Sequence, residues 1–359
     1  MGAIRATKPR TADTVNVAQS YTTVSRSVKH DGLLARTRWF YAALTAVLLA
    51  ALAAAGVGFV LLGSSWFQLL IAGGVGLVLT QFAFIAHEAS HRAILSSGPA
   101  NDRIGRLIGT LVIGMSYAWW MSKHTRHHAN PNQVGKDPDI AFDTISFTEE
   151  DAARQHGALA WMTRRQGYLF FPLLTLEGVN LHITSMRTLF GRAPVKRRAL
   201  EITLIAVRFA IYLTVVFWFL PVGMGFAFLG VQMAVFGVYM GATFAPNHKG
   251  MPIIPRDARM DFFSKQVRTS RNISGGWWAS ALMGGLNYQV EHHLFPSMPR
   301  PHLARARLIV REYCRANDVP YTETTLMHSY AIVVDYLNRV GLAARDPFTC
   351  PMVEQLRRV

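Results

Sequence analysis

Two long apolar hairpins alternate with polar, histidine-bearing stretches along this chain. Trp39 to Gly63 holds no charged residue, a Gly63-Ser64-Ser65 break follows, and Trp66 to Ala86 is again uncharged and mostly apolar, with Gln81 in its second half. Ile202 to Leu220 and Val222 to Ala245 repeat the pattern around a Pro221-Val222-Gly223 connection, with Arg208 as the single charge. Each stretch is close to the roughly 20 residues that a helix needs to cross a ~30 Å hydrocarbon core. The pattern predicts four transmembrane helices in two hairpins, at about 39–63, 66–86, 202–220 and 222–245. Ile104 to Met121 is also apolar but is punctuated by Gly105, Gly109 and Gly114 and ends on Tyr117, Trp119 and Trp120. A fifth crossing there would put His124 across the membrane from His91, so the segment reads as re-entrant or interfacial. Tyr168 to Phe190 mixes aromatic and aliphatic residues with His182 and Arg187, as an amphipathic surface helix does, and Arg300 to Asn317 follows the Pro296 and Pro299 turn as a helix outside the membrane.

Composition agrees with a membrane protein: 51% of the residues are hydrophobic and 16% charged. The net charge of +16 raises the question of nucleic acid, but the basic residues are sorted by segment. Of the 37 Lys and Arg, 36 fall in residues 1–38, in the 87–200 connection or after residue 245, and the hairpin tips carry none. That is the positive-inside pattern, not a groove-reading motif, so both termini and the central connection are expected in the cytoplasm and no nucleic-acid partner is expected. A signal peptide is not expected, since its basic region would run to about residue 38. Cys314 and Cys350 cannot form a disulfide framework or a Cys-x-x-Cys site.

Three histidine clusters lie close to the ends of the apolar runs: His87 and His91; His124, His127 and His128; and His292 and His293. Positions i, i+3 and i+4 share one helical face, so each cluster presents imidazoles toward one point. Seven such donors exceed what one tetrahedral ion can use, which points to two metals. His248, beside Asn247 where the fourth helix leaves the membrane, is a further candidate. Asp137 and Asp139 follow the second cluster and are placed to orient its rings, or else form a solvated acidic turn around Pro138. For His30, His156, His182, His302 and His328, a satisfied polar role is the expectation. Trp119, Trp120, Trp277 and Trp278 either wall an acyl channel or anchor the protein at the interface. Lys123 and Arg126 could hold phosphates, although ordinary positive-inside charge explains them as well. The expected fold class is thus an all-α integral membrane protein of two helical hairpins, with a helical cytoplasmic cap holding the metal site. Residues 1–38 read as a flexible basic tail, 39–330 as the membrane-embedded domain and 331–359 as a cytoplasmic extension.

His87-Glu88-Ala89-Ser90-His91 also matches H-E-x-x-H, the zinc-protease motif with Glu as general base. A protease would need one further ligand and would leave the other clusters without a task. The clusters, their order and their separation by apolar hairpins instead resemble the membrane-bound fatty acid desaturases, from roughly Leu69 to Leu326. The segment Asn287-Tyr288-Gln289-Val290-Glu291-His292-His293-Leu294-Phe295-Pro296 is similar to the third histidine box of front-end acyl desaturases, in which Gln replaces the first histidine. Glu88 departs from the Asp usual in their first box, and the His-Pro-Gly-Gly motif of a fused cytochrome b5 domain does not occur in this sequence. The resemblance implies a non-haem centre of two irons held by His87, His91, His124, His127, His128, His248, His292 and His293. Gln289 would be either a weak ligand or a hydrogen-bond donor. It further implies O2-dependent insertion of a cis double bond into a long acyl chain carried as acyl-CoA or acyl-lipid. A lipid hydroxylase or epoxidase with the same centre is the nearest alternative. Such a reaction needs an external electron donor, a ferredoxin, rubredoxin-like or cytochrome b5-type protein with its reductase. No dinucleotide fingerprint follows a strand, and two cysteines cannot hold an iron–sulfur cluster.

Overall fold

Each of the four apolar runs becomes one continuous helix in the computed structural model, which describes residues 17–343. Helix α1 (Val17–His30) leads into the first hairpin, α2 (Arg38–Leu62) and α3 (Gln68–Ser90). Gln68 Nε2 ties the hairpin tip by donating to the Phe59 and Gly63 carbonyls at 2.6 and 2.9 Å. Next come α4 (Gly98–Arg106), a π-helical stretch at Leu107–Ile113 and α5 (Tyr117–Ala129). Short helices α6 (Glu149–Ala153) and α7 (Gly157–Thr163) precede the long α8 (Gln166–Phe190), and α9 (Arg198–Phe219) with α10 (Val222–His248) forms the second hairpin. The rest of the chain builds α11 (Phe262–Thr269), β1 (Arg271–Ser274), α12 (Gly276–Leu282), α13 (Gln289–Leu294), α14 (Arg300–Ala316), β2 (Thr322–Thr325) and α15 (Leu326–Ala343). The two strands pair in parallel with Arg271 opposite Thr322.

Among the described residues, α2, α3, α9 and α10 are the four helices long and apolar enough to cross a bilayer. Outward-facing Val47, Leu49, Val57 and Leu61 on α2, and Val207, Ile211 and Trp218 on α9, are exposed, as suits lipid-facing surfaces. This is a membrane protein. Helices α3 and α10 extend past their apolar runs without a break, so His87 and His248 ride on the last turns of membrane-spanning helices. The segment from Ile104 is not a fifth span: it reverses at Gly114, whose φ of 97° suits glycine and whose added Cβ would meet the Phe209 ring at 3.3 Å. Beyond that turn, fully buried Glu201 of α9 accepts from Ser116 Oγ at 2.6 Å and from the Ala118 N–H at 3.2 Å, and pairs with Arg106 Nε at 3.0 Å. A carboxylate at the start of a helix satisfies its free N–H groups and favours its dipole, so Glu201 sets where α5 begins.

Helices α8 and α10 meet backbone to backbone. A Cβ on Gly178 would lie 2.3 Å from the Met233 carbonyl oxygen, and one on Gly237 would lie 2.5 Å from that of Leu174. The outer face of α8 is mixed, with exposed Leu176, Val179, Ile183 and Phe190 beside exposed Thr175, Asn180 and Arg187.

Two boundary expectations are corrected. Residues 17–38 are not a flexible tail: Val24 and Val28, one turn apart on α1, are buried with Leu33 in a cluster that includes Phe263, Phe295, Leu303 and Val310. Nor does the folded unit stop at residue 330, because Val333 and Leu337 of α15 are fully buried against Phe170 and Leu174 of α8. The parts of those expectations that concern residues 1–16 and 344–359 lie outside the described residues.

The close α8–α10 contact yields a test. Gly237→Leu should force two backbones apart and cost more than the ~1–3 kcal/mol of ordinary overpacking. In thermal unfolding of the detergent-purified protein, Gly237→Leu should melt well below wild type. Gly230→Leu, which meets nothing within 4 Å, should not, and equal melting of the two variants would contradict the packing described.

Candidate metal centre

The ends of α3, α5, α10 and α13 converge on one buried volume, and their histidines sort into two groups. In the first, nitrogens of His87, His91, His124, His128 and His292 all lie within 4.8 Å of one another. Within it, His87 Nε2 is 2.9 Å and His91 Nε2 is 2.7 Å from His124 Nε2, and His128 and His292 approach Nε2 to Nε2 at 3.1 Å. The second group is His127, His248 and His293, with His127 and His248 3.3 Å apart through their Nε2 atoms. The rings of His128 and His293 stack with centroids 4.1 Å apart, so the groups adjoin. All three sequence clusters and His248 are therefore brought together.

The three rings of the second group are oriented from behind. Asp137 accepts from His127 Nδ1 at 3.0 Å, with Asp139 3.4 Å from the same nitrogen. Thr269 O accepts from His248 Nδ1 at 2.9 Å, and Gln266 Oε1 accepts from His293 Nδ1 at 2.9 Å. With Nδ1–H committed, Nε2 keeps its lone pair, and that of His293 is buried without a protein partner. The loop before α6 links two of these rings: Asp137 also accepts from the Asn132 N–H at 2.7 Å, while Asn132 Nδ2 donates to His248 O at 3.0 Å. Trp120 stacks on His124 with centroids 4.9 Å apart.

Burial first, and neighbouring histidines second, push His124, His128, His292 and His293 well below the usual histidine pKa; burial takes His91 to about 3. His127 is the exception: burial would lower it, but Asp139 and Asp137 outweigh burial and raise it. Neutral imidazoles with nitrogens about 3 Å apart are the donor set expected of ligands sharing a metal at about 2.1 Å. The residues present fit such an ion.

Other expectations come out unevenly. Gln289 lies beside His248, its Nε2 2.8 Å from His248 Nε2, while its Oε1 accepts from Asn247 Nδ2 at 3.1 Å. Asn247 Nδ2 also donates to Thr243 O, which fixes both amides and leaves Gln289 as the donor toward His248. A small apolar cavity of ≈ 30 Å³ abuts His87 between Ala83, Ile113, Trp120, Met240 and Phe244. A larger one of ≈ 420 Å³, lined by Leu77, Val235, Tyr239, Thr243, Met283 and Tyr330, touches no histidine. Of the four tryptophans, Trp120 lines the smaller cavity, Trp119 is packed in the core, and Trp277 and Trp278 are exposed at 84% and 44% and line neither cavity. Lys123 is not a free phosphate ligand, because its ammonium is paired with Asp139. His30, His156, His182, His302 and His328 stand outside both groups.

Glu88 decides against the protease. Its carboxylate accepts from Arg300 Nη2 at 2.6 Å and from Tyr41 Oη at 2.9 Å, all three side chains buried, so it locks α3 to α2 and α14. It is an ion-pair partner, not a free base. Sequence spacing did not show this pair, nor Gln266, Thr269 or Glu201, since each is a single polar residue with partners far along the chain.

The helix-borne histidines have counterparts elsewhere. A family model described as fatty acid desaturase matches residues 64–325. The chain belongs to the fatty acid desaturase family. It is 30% identical over 320 residues to Delta(8)-fatty-acid desaturase 2 of Arabidopsis thaliana, covering 85% of this chain and 70% of that protein. It is similar at 27% identity to Acyl-lipid (9-3)-desaturase of Borago officinalis, with 79% and 65% covered, and at 28% to Delta 8-(E)-sphingolipid desaturase of Emericella nidulans, with 81% and 57% covered. The chain thus spans between about half and 70% of the length of these relatives. Its likeness is to the front-end group, and as a desaturase it is a metal-dependent oxidoreductase of lipid metabolism.

Because a buried carboxylate left alone is costly, Arg300→Met should destabilise the desaturase by about 3–5 kcal/mol. Adding Glu88→Met should recover a large part of that loss in the melting temperature. A double variant no more stable than Arg300→Met would contradict the structural role of Glu88.

Proposed function

We propose that this desaturase inserts a cis double bond into a long-chain acyl group, carried as acyl-CoA or acyl-lipid, using O2 and two irons. The observation that carries the reading is the gathering of eight imidazoles into two adjoining buried groups at the ends of the membrane-spanning helices. His87, His91, His124, His128 and His292 would hold one iron and His127, His248 and His293 the other, with Gln289, Asn247, Asp137 and Asp139 supporting the second. When bound, redox-active iron supplies the O2-derived oxidising power that an unactivated methylene demands and that zinc lacks.

The protein's own part is placement and exclusion. Asp137, Thr269 and Gln266 hold three rings by Nδ1 and keep Nε2 facing the shared volume. The apolar wall of Ala83, Ile113, Met240 and Phe244 beside His87 accepts a saturated acyl segment and offers water no partner. Both termini and the centre would face the cytoplasm, a reading that the sorting of basic residues supports.

Reducing O2 to two waters takes four electrons and the substrate yields two, so a separate donor must bring the rest. Exposed Arg26, Lys29 and Arg311 on packed helices α1 and α14 offer basic charge for an acidic ferredoxin, rubredoxin-like or cytochrome b5-type protein.

Expression in a host with a compatible donor, followed by mass spectrometry of total lipids, tests the reading. New monounsaturated positions should appear with wild type and vanish with His128→Ala or His292→Ala, while His156→Ala should behave as wild type. Products that gain oxygen rather than lose two hydrogens would overturn it in favour of a hydroxylase or epoxidase. Purified protein given only NAD(P)H, O2 and substrate should not turn over until reductase and carrier are added, and its rate should then fall as salt rises.

A further inference from the structure

A fully buried cation meets carbonyls where an anion would be expected. Arg271 of β1 is 1% exposed, and no ion pair to it occurs among the described residues. Burial lowers its pKa to about 10, which leaves it charged at neutral pH. Its Nε donates to Pro246 O at 2.8 Å, and Nη2 donates to the same oxygen and to Lys249 O at 3.0 Å. Removing a guanidinium from water without an opposite charge is unfavourable in itself, so those carbonyls must offset it. They are the carbonyls two residues before and one residue after His248.

That turn of α10 needs support for a reason written in its sequence. Pro246 has no N–H, so Ala242 O loses its helical donor. Tyr330 Oη of α15 donates to it instead, at 2.9 Å, and Ser329 Oγ adds a bond to Pro246 O at 2.8 Å. Free carbonyls at a helix C-terminus also attract positive charge through the dipole. Thr269, two residues before Arg271, accepts from His248 Nδ1, so one short segment holds both the backbone around His248 and the tautomer of its ring.

We propose that Arg271 is a positioning residue for His248: by bridging the carbonyls that flank it, and aided by Ser329 and Tyr330, it holds the last turn of α10 where His248 completes the group with His127 and His293. The elements that follow the second hairpin would thus specify the second metal without contributing Arg271 or α15 as a ligand. This rests on the two-metal reading above.

The test is metal content, with Mössbauer spectra, of full-length protein purified in detergent after growth with iron. Wild type should carry about two irons per chain. Arg271→Met should carry about one while the five-histidine group stays filled, and Tyr330→Phe should keep both but lose one to a chelator on the order of 10-fold faster than wild type. Exposed His328→Ala is the control and should match wild type. If Arg271→Met elutes and melts as wild type and keeps two irons, the proposal is overturned; if it does not fold, an unchanged chelator rate in Tyr330→Phe overturns it. A wild-type protein with one metal or none would instead overturn the two-metal reading, and this proposal with it.

Discussion

Imidazole lone pairs set about 3 Å apart and out of water repel one another, so contacts outside the group must hold the rings together. That constraint organises this protein. The rings stand on the ends of different helices, so each helix must be held in length, tilt and rotation by contacts away from the centre. The α8–α10 glycine contact sets the depth of α10, and the turn at Gly114 returns the chain so that α5 faces α3. Fixing the rings is therefore a problem of anchoring helix ends.

Buried charge does that anchoring, element by element. Glu88 is met by Arg300 and Tyr41, Glu201 by Arg106 and the start of α5, and Asp137 by His127 and the Asn132 backbone. Each lock joins a segment that carries histidines to one that does not, and each uses a carboxylate in a place where an unpaired one would be costly. Arg271 works in the opposite sense, a cation spent on carbonyls. Losing any single lock should loosen one box more than the others, since no residue serves two of these three carboxylate locks.

Much of this was legible in the sequence because membrane helices and metal ligands both leave regular spacing. Apolar runs of about 20 residues fixed the four spans to within a few residues, and the i, i+3, i+4 spacing marked the histidines that the fold gathers. His248 was recognisable only by its place at the end of a span. What spacing could not show were interactions between lone polar residues distant in the chain, such as Glu88 with Arg300 or Thr269 with His248. Helix α1 was missed because residues 1–38 are rich in Thr, Ser and Arg, whereas Val24 and Val28 decide its burial. The tryptophan pairs misled in the other direction: an aromatic pair near a site looks the same in sequence whether it lines a cavity, as Trp120 does, or faces outward, as Trp277 does.

The central claim is that two metals sit in two particular groups of side chains. Anomalous scattering measured from crystals of the purified protein on either side of the iron edge addresses it without reference to turnover. The account predicts two iron peaks, one among His87, His91, His124, His128 and His292 and one among His127, His248 and His293, with no peak at Glu88. A single peak, or two peaks that persist below the iron edge and belong to zinc, would contradict it.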